Sequence, residues 1–153
     1  YSLSTRAPEM GLVQVCEELD TALVAFSPVG RTFLTDSPLS YDFAQTLDFT
    51  KVNPRFKQPN YDKNIIISDN FRKYSRDLGI ASATLSIAWL LAKSESIIPI
   101  PGTRYVKHLH ELAAAMEVDV TDKMISEIES ILPLGWAYGD RYSDAQWIGP
   151  ERY

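Results

Sequence analysis

The chain has 153 residues and a formal net charge of −5, long enough for one domain with a substantial core. With 45% hydrophobic and 23% charged residues, its composition is that of a globular domain and argues against disordered, collagen-like and coiled-coil classes. The acidic balance gives no sign of nucleic-acid binding and argues against docking on an anionic membrane surface.

A single cysteine, Cys16, leaves no intramolecular disulfide and points to a cytoplasmic setting. The longest apolar run, residues 87–92, is too short to cross a bilayer. No signal-peptide pattern is present, and the first residue is Tyr1 rather than Met, which reads as a start within a fold.

Tyr1-Ser2-Leu3 reads as the tail of a strand. Pro8 and Glu9 mark a helix first turn, followed by an apolar face of Leu12, Cys16 and Leu19 with Val13 beside it. Cys16 on that face reads as a small core residue. Residues 22–26 (Ala-Leu-Val-Ala-Phe) form a short continuous apolar run, as expected of a strand buried on both sides in a parallel sheet. Ser27-Pro28-Val29-Gly30 forces a loop straight after it.

Residues 31–60 show no sustained period and are punctuated by Pro38, Pro54 and Pro59. Loops of this length are either functional or poorly ordered excursions. Residues 61–78 are helical, with Ile67, Phe71, Tyr74 and Leu78 on one face and Gly79 as the stop. Ser82 is expected to cap a second helix, which is apolar nearly all round and so deeply buried. Residues 97–100 form a minimal strand with Pro99 inside it. Thr103 is expected to cap the next helix, whose buried face would be Leu109, Leu112, Ala113 and Met116. A last helix opens on Thr121 and ends at Pro133. The tail from Trp136 to Tyr153 is aromatic-rich and aperiodic.

Strands alternating with helices imply a parallel α/β sheet, either doubly wound or part of a (β/α)₈ barrel. Two strands end alike, in Phe26-Ser27-Pro28-Val29-Gly30 and Ile100-Pro101-Gly102-Thr103-Arg104. Ligands bind at that edge in parallel α/β folds. The second stretch offers helix N-terminal N–H groups and the Arg104 guanidinium to a phosphate, with Lys107 and His108 one turn on. Against this, Pro-Gly turns follow many strands, and Arg104 could be a solvated surface charge. No G-x-G-x-x-G, Walker motif or metal-spaced cluster is present. His108 and His110 face different ways on a helix.

At these residues the sequence resembles the aldo-keto reductases, NADPH-dependent (β/α)₈ TIM barrels. Tyr1-Ser2-Leu3 with Arg6-Ala7-Pro8-Glu9 looks like the end of the sixth strand and its helix. Residues 23–31 with Phe33-Leu34-Thr35 are similar to the seventh strand and its cofactor loop. Asn53-Pro54-Arg55-Phe56 resembles a recurrent loop motif. Ala88-Trp89-Leu90-Leu91 and residues 98–104 look like the helix and strand before the adenosine-phosphate site. Gly139-Asp140-Arg141-Tyr142 resembles a tail motif.

The resemblance implies that residues 1–153 are the C-terminal half of one barrel domain, from the end of strand six through strand eight, the C-terminal helices and the tail. It implies NADPH as cofactor. Phe26 would stack on the nicotinamide. Ser27, Pro28, Val29, Gly30, Arg31 and Leu34 would wrap the pyrophosphate. Gly102, Thr103 and Arg104 would hold the 2′-phosphate, and Pro101 beside them belongs to the cofactor site. His108 stands where the family often has arginine, Glu111 matches an acid near the adenine, and Leu112 replaces the usual asparagine. The family's catalytic Asp, Tyr, Lys and His belong to its first four strands, so no catalytic residue is assigned in this chain. The implied reaction is hydride transfer between NADPH and an aldehyde, ketone or alcohol. The implied partner is the N-terminal barrel half, or a second copy by self-association. Two alternatives are a non-catalytic NADPH-binding module similar to the channel β-subunits that share this barrel, and a phosphate-binding barrel half of unrelated chemistry.

Overall fold

The computed structural model describes residues 1–147; the part of the expected tail at residues 148–153 lies outside them. The sheet is a parallel pair, β1 (Leu23–Phe26) and β2 (Ile97–Ile100). Leu23 lies opposite Ile97 and Phe26 opposite Ile100, so both strands reach the same edge and turn there together. Tyr1-Ser2-Leu3 forms no strand of its own, although the Tyr1 amino group donates to the Phe26 carbonyl of β1 at 3.2 Å. Ser2 instead forms an isolated antiparallel bridge with Thr5, because the chain folds back on itself within four residues.

Strand β1 departs from the expectation of burial on both faces. Ala25 is buried, whereas Val24 and Phe26 are 53% and 45% exposed, and across the register Ile98 and Ile100 are 50% and 51% exposed. The period of two explains the split. Leu23, Ala25 and Ile97 pack into the helical core, and the alternate side chains point to the opposite, uncovered face.

Helix α1 (Leu12–Glu18) follows a 3₁₀ turn at Ala7–Met10, and Gly11, at φ +130°, separates the two. The break sets the buried stripe on Val13 and Cys16, leaving Leu12 and Leu19 exposed, which corrects the expected face. Residues 31–60 are also not a poorly ordered excursion. They contain α2 (Tyr41–Thr46) and a 3₁₀ turn at Pro54–Phe56, and they pack a small core of Phe33, Ala44, Phe56 and Tyr61.

Helices α3 (Asn60–Asp77) and α4 (Ser82–Lys93) follow the predicted spans closely. All of residues 82–90 in α4 are buried, as its apolar sequence requires. Ala81, not Ser82, is the N-cap residue; Ser82 instead bonds Asp36, which closes the helix start from outside. The main core joins Phe71 of α3, Leu85, Trp89 and Leu90 of α4, and Ile128 of α6 (Asp122–Ile131). Each such side chain contributes roughly 1.5–3 kcal/mol on burial. Thr121 caps α6 as expected, accepting from the Met124 N–H at 3.3 Å.

Helix α5 (Val106–Ala113) differs from expectation at both points. Its N-cap residue is Tyr105, and Thr103 bonds the Tyr105 N–H from one step outside. Of its expected face only Leu112 is buried; Leu109 is 56% and Met116 78% exposed. The helix rests on α4 through a narrow strip, Leu112 against Ala83, Ile87 and Ala88, and leaves its flanks open. Among the described residues no helix is long and apolar enough to cross a membrane.

Candidate functional site: a groove at the strand ends

The in-register strands deliver two turns to one edge. After Phe26 the backbone enters a left-handed run, with φ of +52° at Ser27, +59° at Gly30, +53° at Arg31 and +78° at Thr32. Such conformations cost about 1–3 kcal/mol at a non-glycine residue and persist only where surroundings impose them. Here the surroundings are visible. The Pro28 carbonyl accepts from Ser86 Oγ of α4 at 3.0 Å, and the Val29 carbonyl accepts from the Leu34 N–H at 3.2 Å. Gly30 is required twice over: its φ is positive, and an added Cβ would lie 2.8 Å from Ser4 Oγ.

The second turn, residues 101–105, leads into α5. Between the two turns lies a groove of about 260 Å³. One wall is Val29, Thr32, Thr35 and Asp36; the other is Gly102, Thr103, Lys107 and His108; Ala83, Glu111 and Leu112 also line it. The groove is therefore apolar in part and hydroxyl-lined on one side, and carries Lys107 and His108 on the other. Glu111 lies 3.8 Å from Lys107, and its carbonyl accepts from Thr84 Oγ1 at 2.6 Å.

The residues singled out from sequence are distributed as follows. Val29, Gly102, Thr103, His108, Glu111 and Leu112 line the groove. Arg104 is exposed at its rim, with its guanidinium 5.3 Å from the Tyr105 ring centroid. Pro101 leads from β2 into the turn and is half-buried. Phe26, Ser27, Gly30 and Arg31 line a separate, smaller cavity at the end of β1. Pro28 and Leu34 are fully buried; Leu34 belongs to the main core and its N–H is already engaged. Leu112 is part of the helical packing as well as of the groove.

Three groove residues carried no sequence signal. Thr32, Asp36 and Ser37 sit in the aperiodic stretch and line the groove, where Asp36 caps α4 and Arg72 of α3 holds the Phe33 carbonyl at 2.7 Å.

Comparison with known proteins decides the family. The profile of the aldo/keto reductase family matches residues 1–133. The chain belongs to the aldo/keto reductase family. It is 35% identical over 142 residues to the aldo-keto reductase yakc [NADP(+)] of Schizosaccharomyces pombe, covering 93% of this chain and 42% of that protein. It is 34% identical over 142 residues to the probable aldo-keto reductase 1 of Glycine max, covering 93% of this chain and 41% of that protein. The chain thus spans about two fifths of the length of these curated relatives. Among solved structures, the glycerol dehydrogenase of Gluconobacter oxydans superposes with a TM-score of 0.69 at 21% identity, over 86% of this chain and 40% of that one. An aldo-keto reductase from Klebsiella pneumoniae in complex with NADPH gives a TM-score of 0.61 at 16% identity, over 87% and 37%. These likenesses show a shared α/β fold.

Proposed function

We propose that this chain is the C-terminal, cofactor-holding part of a (β/α)₈ barrel, and that it serves an NADPH-dependent oxidoreductase acting on aldehydes, ketones or alcohols. The observation that carries this reading is the parallel register that brings Val29 and Thr32, after β1, and Gly102, Thr103, Lys107 and His108, after β2, to opposite sides of one groove. The donors fit a dinucleotide with a phosphate on its ribose: Lys107 and His108 in the groove and Arg104 at its rim suit a dianion, while Leu112 and Ala83 suit the flat face of a purine.

In this reading Gly102, Thr103 and Arg104 hold the 2′-phosphate, and Glu111 and Leu112 face the adenine. The loop from Ser27 to Arg31 wraps the pyrophosphate, and Phe26 keeps the nicotinamide ring flat against the end of β1. When bound, the cofactor supplies the hydride. The chain's own share is binding, orientation and exclusion of water, which convert a bimolecular encounter into a positioned one. Leu34 and Pro28 support the pyrophosphate loop from beneath rather than touching the ligand with their side chains. The single, buried Cys16 suits a reducing cytoplasm.

Fluorescence titration with NADPH and NADH, followed by a carbonyl-reduction assay, tests the proposal. Saturable binding with NADPH preferred supports it, and absence of binding to either nucleotide overturns it. Binding without turnover, by the chain and by any longer protein containing it, favours the non-catalytic module.

A further inference from the structure

The cofactor reading leaves two sequence motifs without a task, Asn53-Pro54-Arg55-Phe56 and Gly139-Asp140-Arg141-Tyr142. The fold brings them together. Asn53 is fully buried; its Nδ2 donates to the Arg141 carbonyl at 2.7 Å and its Oδ1 accepts from the Arg55 N–H at 3.1 Å. Arg55 Nε donates to the Gly139 carbonyl at 3.3 Å. Asn64 of α3, also fully buried, accepts from the Tyr138 N–H at 2.7 Å and donates to the Tyr138 carbonyl at 3.0 Å. Gln146 Nε2 donates to the Phe49 carbonyl at 2.9 Å. Gly139 has to be glycine: its φ is +85°, and an added Cβ would lie 2.8 Å from the Pro54 carbonyl. Asn53, Arg55 and Asn64 therefore hold the backbone of the tail at Tyr138, Gly139 and Arg141. The course of the tail is set without its side chains, and the Tyr142 ring is delivered to another partner.

That partner is Arg31. Its guanidinium lies 4.8 Å from the Tyr142 ring centroid and 4.5 Å from that of Phe49, and the two rings meet edge to face at 6.2 Å. Its Nη1 donates to the same Arg141 carbonyl that Asn53 holds. The side chain leaves a backbone at φ +53°, a conformation that surroundings must impose on a residue other than glycine. A guanidinium on a long flexible stem loses rotamer freedom when a ligand immobilises it. Here two rings and a carbonyl fix it beforehand, through cation–π contact and a hydrogen bond. Tyr142 lines neither the groove nor the cavity at the end of β1, so any effect it has on a ligand passes through Arg31.

We propose that Tyr142 and Phe49 are positioning residues for the cofactor site: they hold Arg31 in the orientation in which it meets the pyrophosphate, and so couple the docked tail to cofactor affinity. The proposal rests on the reading of Arg31 as a pyrophosphate residue.

The test is a double-variant cycle on the full chain, read by NADPH fluorescence titration. Adenosine 2′-monophosphate, which lacks the pyrophosphate, is titrated in parallel by NMR as a probe of the groove alone. Tyr142→Leu removes the ring and keeps apolar bulk; it is expected to weaken NADPH binding roughly tenfold, the scale of a desolvated cation–π contact, and to leave the 2′-monophosphate within about twofold. Tyr142→Phe keeps the ring and should hold NADPH affinity within about threefold. In an Arg31→Ala background, Tyr142→Leu should cost nothing further. Phe49→Leu repeats the measurement from the other ring if the tail variant does not fold. Unchanged NADPH affinity in Tyr142→Leu overturns the proposal. So does an equal loss for both nucleotides, or losses that add in the double variant, because the tail would then serve the fold alone. Failure of the wild-type chain to bind NADPH is a different result: it removes the cofactor reading and the coupling with it, whereas wild-type binding that ignores Tyr142 removes only the coupling.

Discussion

Arg104 is exposed at the rim and has no ion-pair partner among the described residues, so its removal disturbs little of the fold. Its role, if the groove takes NADPH, is confined to the 2′-phosphate. Arg104→Gln is therefore expected to weaken NADPH binding roughly 10- to 100-fold, the range of a lost charge-assisted hydrogen bond, and to leave NADH binding within about threefold. Parallel fluorescence titrations check this, and an equal loss for both nucleotides would remove Arg104 from the phosphate. Leu112 behaves differently from Arg104. It is 9% exposed and packs against Ala83, Ile87 and Ala88, so one side chain serves α5 docking and groove lining together. A polar residue there would trade packing for adenine contact.

The elements are joined by charge as well as by apolar burial. Arg6 bonds both Glu9, at 2.6 Å, and Glu129 of α6, at 2.8 Å; Lys93 of α4 reaches Glu129 at 3.0 Å; the Trp89 indole donates to Glu129 at 3.2 Å. Burial by itself would raise the Glu129 and Glu9 carboxyls, yet the hydrogen bonds from Lys93, Arg6 and Tyr1 outweigh it and hold both below the ordinary 4.5. A depressed folded-state value means that the unfolded chain binds protons more readily. The stabilisation is complete above the unfolded value and is lost as pH falls through the folded ones. Thermal stability should therefore fall steeply below about pH 4.5. Glu129→Gln should cost roughly 1–3 kcal/mol at pH 7 and flatten that acid slope; an unchanged slope would count against the network. None of this was legible in the sequence, where Glu129 reads as a solvated helix face. Long-range ion pairs leave no period. What was legible is what local physics dictates: α3 and α4 from their spacing, β2 from its brevity, Thr121 as a cap, and the two strand-end turns as a shared edge. The errors at Leu12, Leu109 and Met116 share one cause. Each concerns which side of a short helix meets a neighbour, and that is set by tertiary docking rather than by sequence spacing.

At the scale of the whole molecule, one face of the sheet is unusual for a chain by itself. Val24, Phe26, Ile98 and Ile100 stand about half exposed side by side, and among the described residues β1 and β2 pair only with each other. Unpaired parallel strands present free N–H and C=O rows, and a contiguous apolar patch invites a partner. Parallel sheets are otherwise covered on both faces. The outer side of α1 adds Met10, Leu12 and Leu19, all at least half exposed. Together these predict that the 153-residue chain, with a mass of 17.3 kDa, does not persist as a lone monomer at micromolar concentration. Light scattering after size exclusion should give a larger, concentration-dependent mass. A charge placed on the uncovered face by Ile98→Lys should shift the distribution toward monomer while leaving the buried side of the sheet intact, because Ile98 points away from the core that holds Ile97. Addition of a chain carrying the first strands of a family barrel should do the same by heteromeric pairing if those strands are the natural cover. A sharp 17.3 kDa monomer with a single cooperative melt, unchanged by Ile98→Lys, would show that this face is stable in water and that the groove needs no second piece to hold its shape.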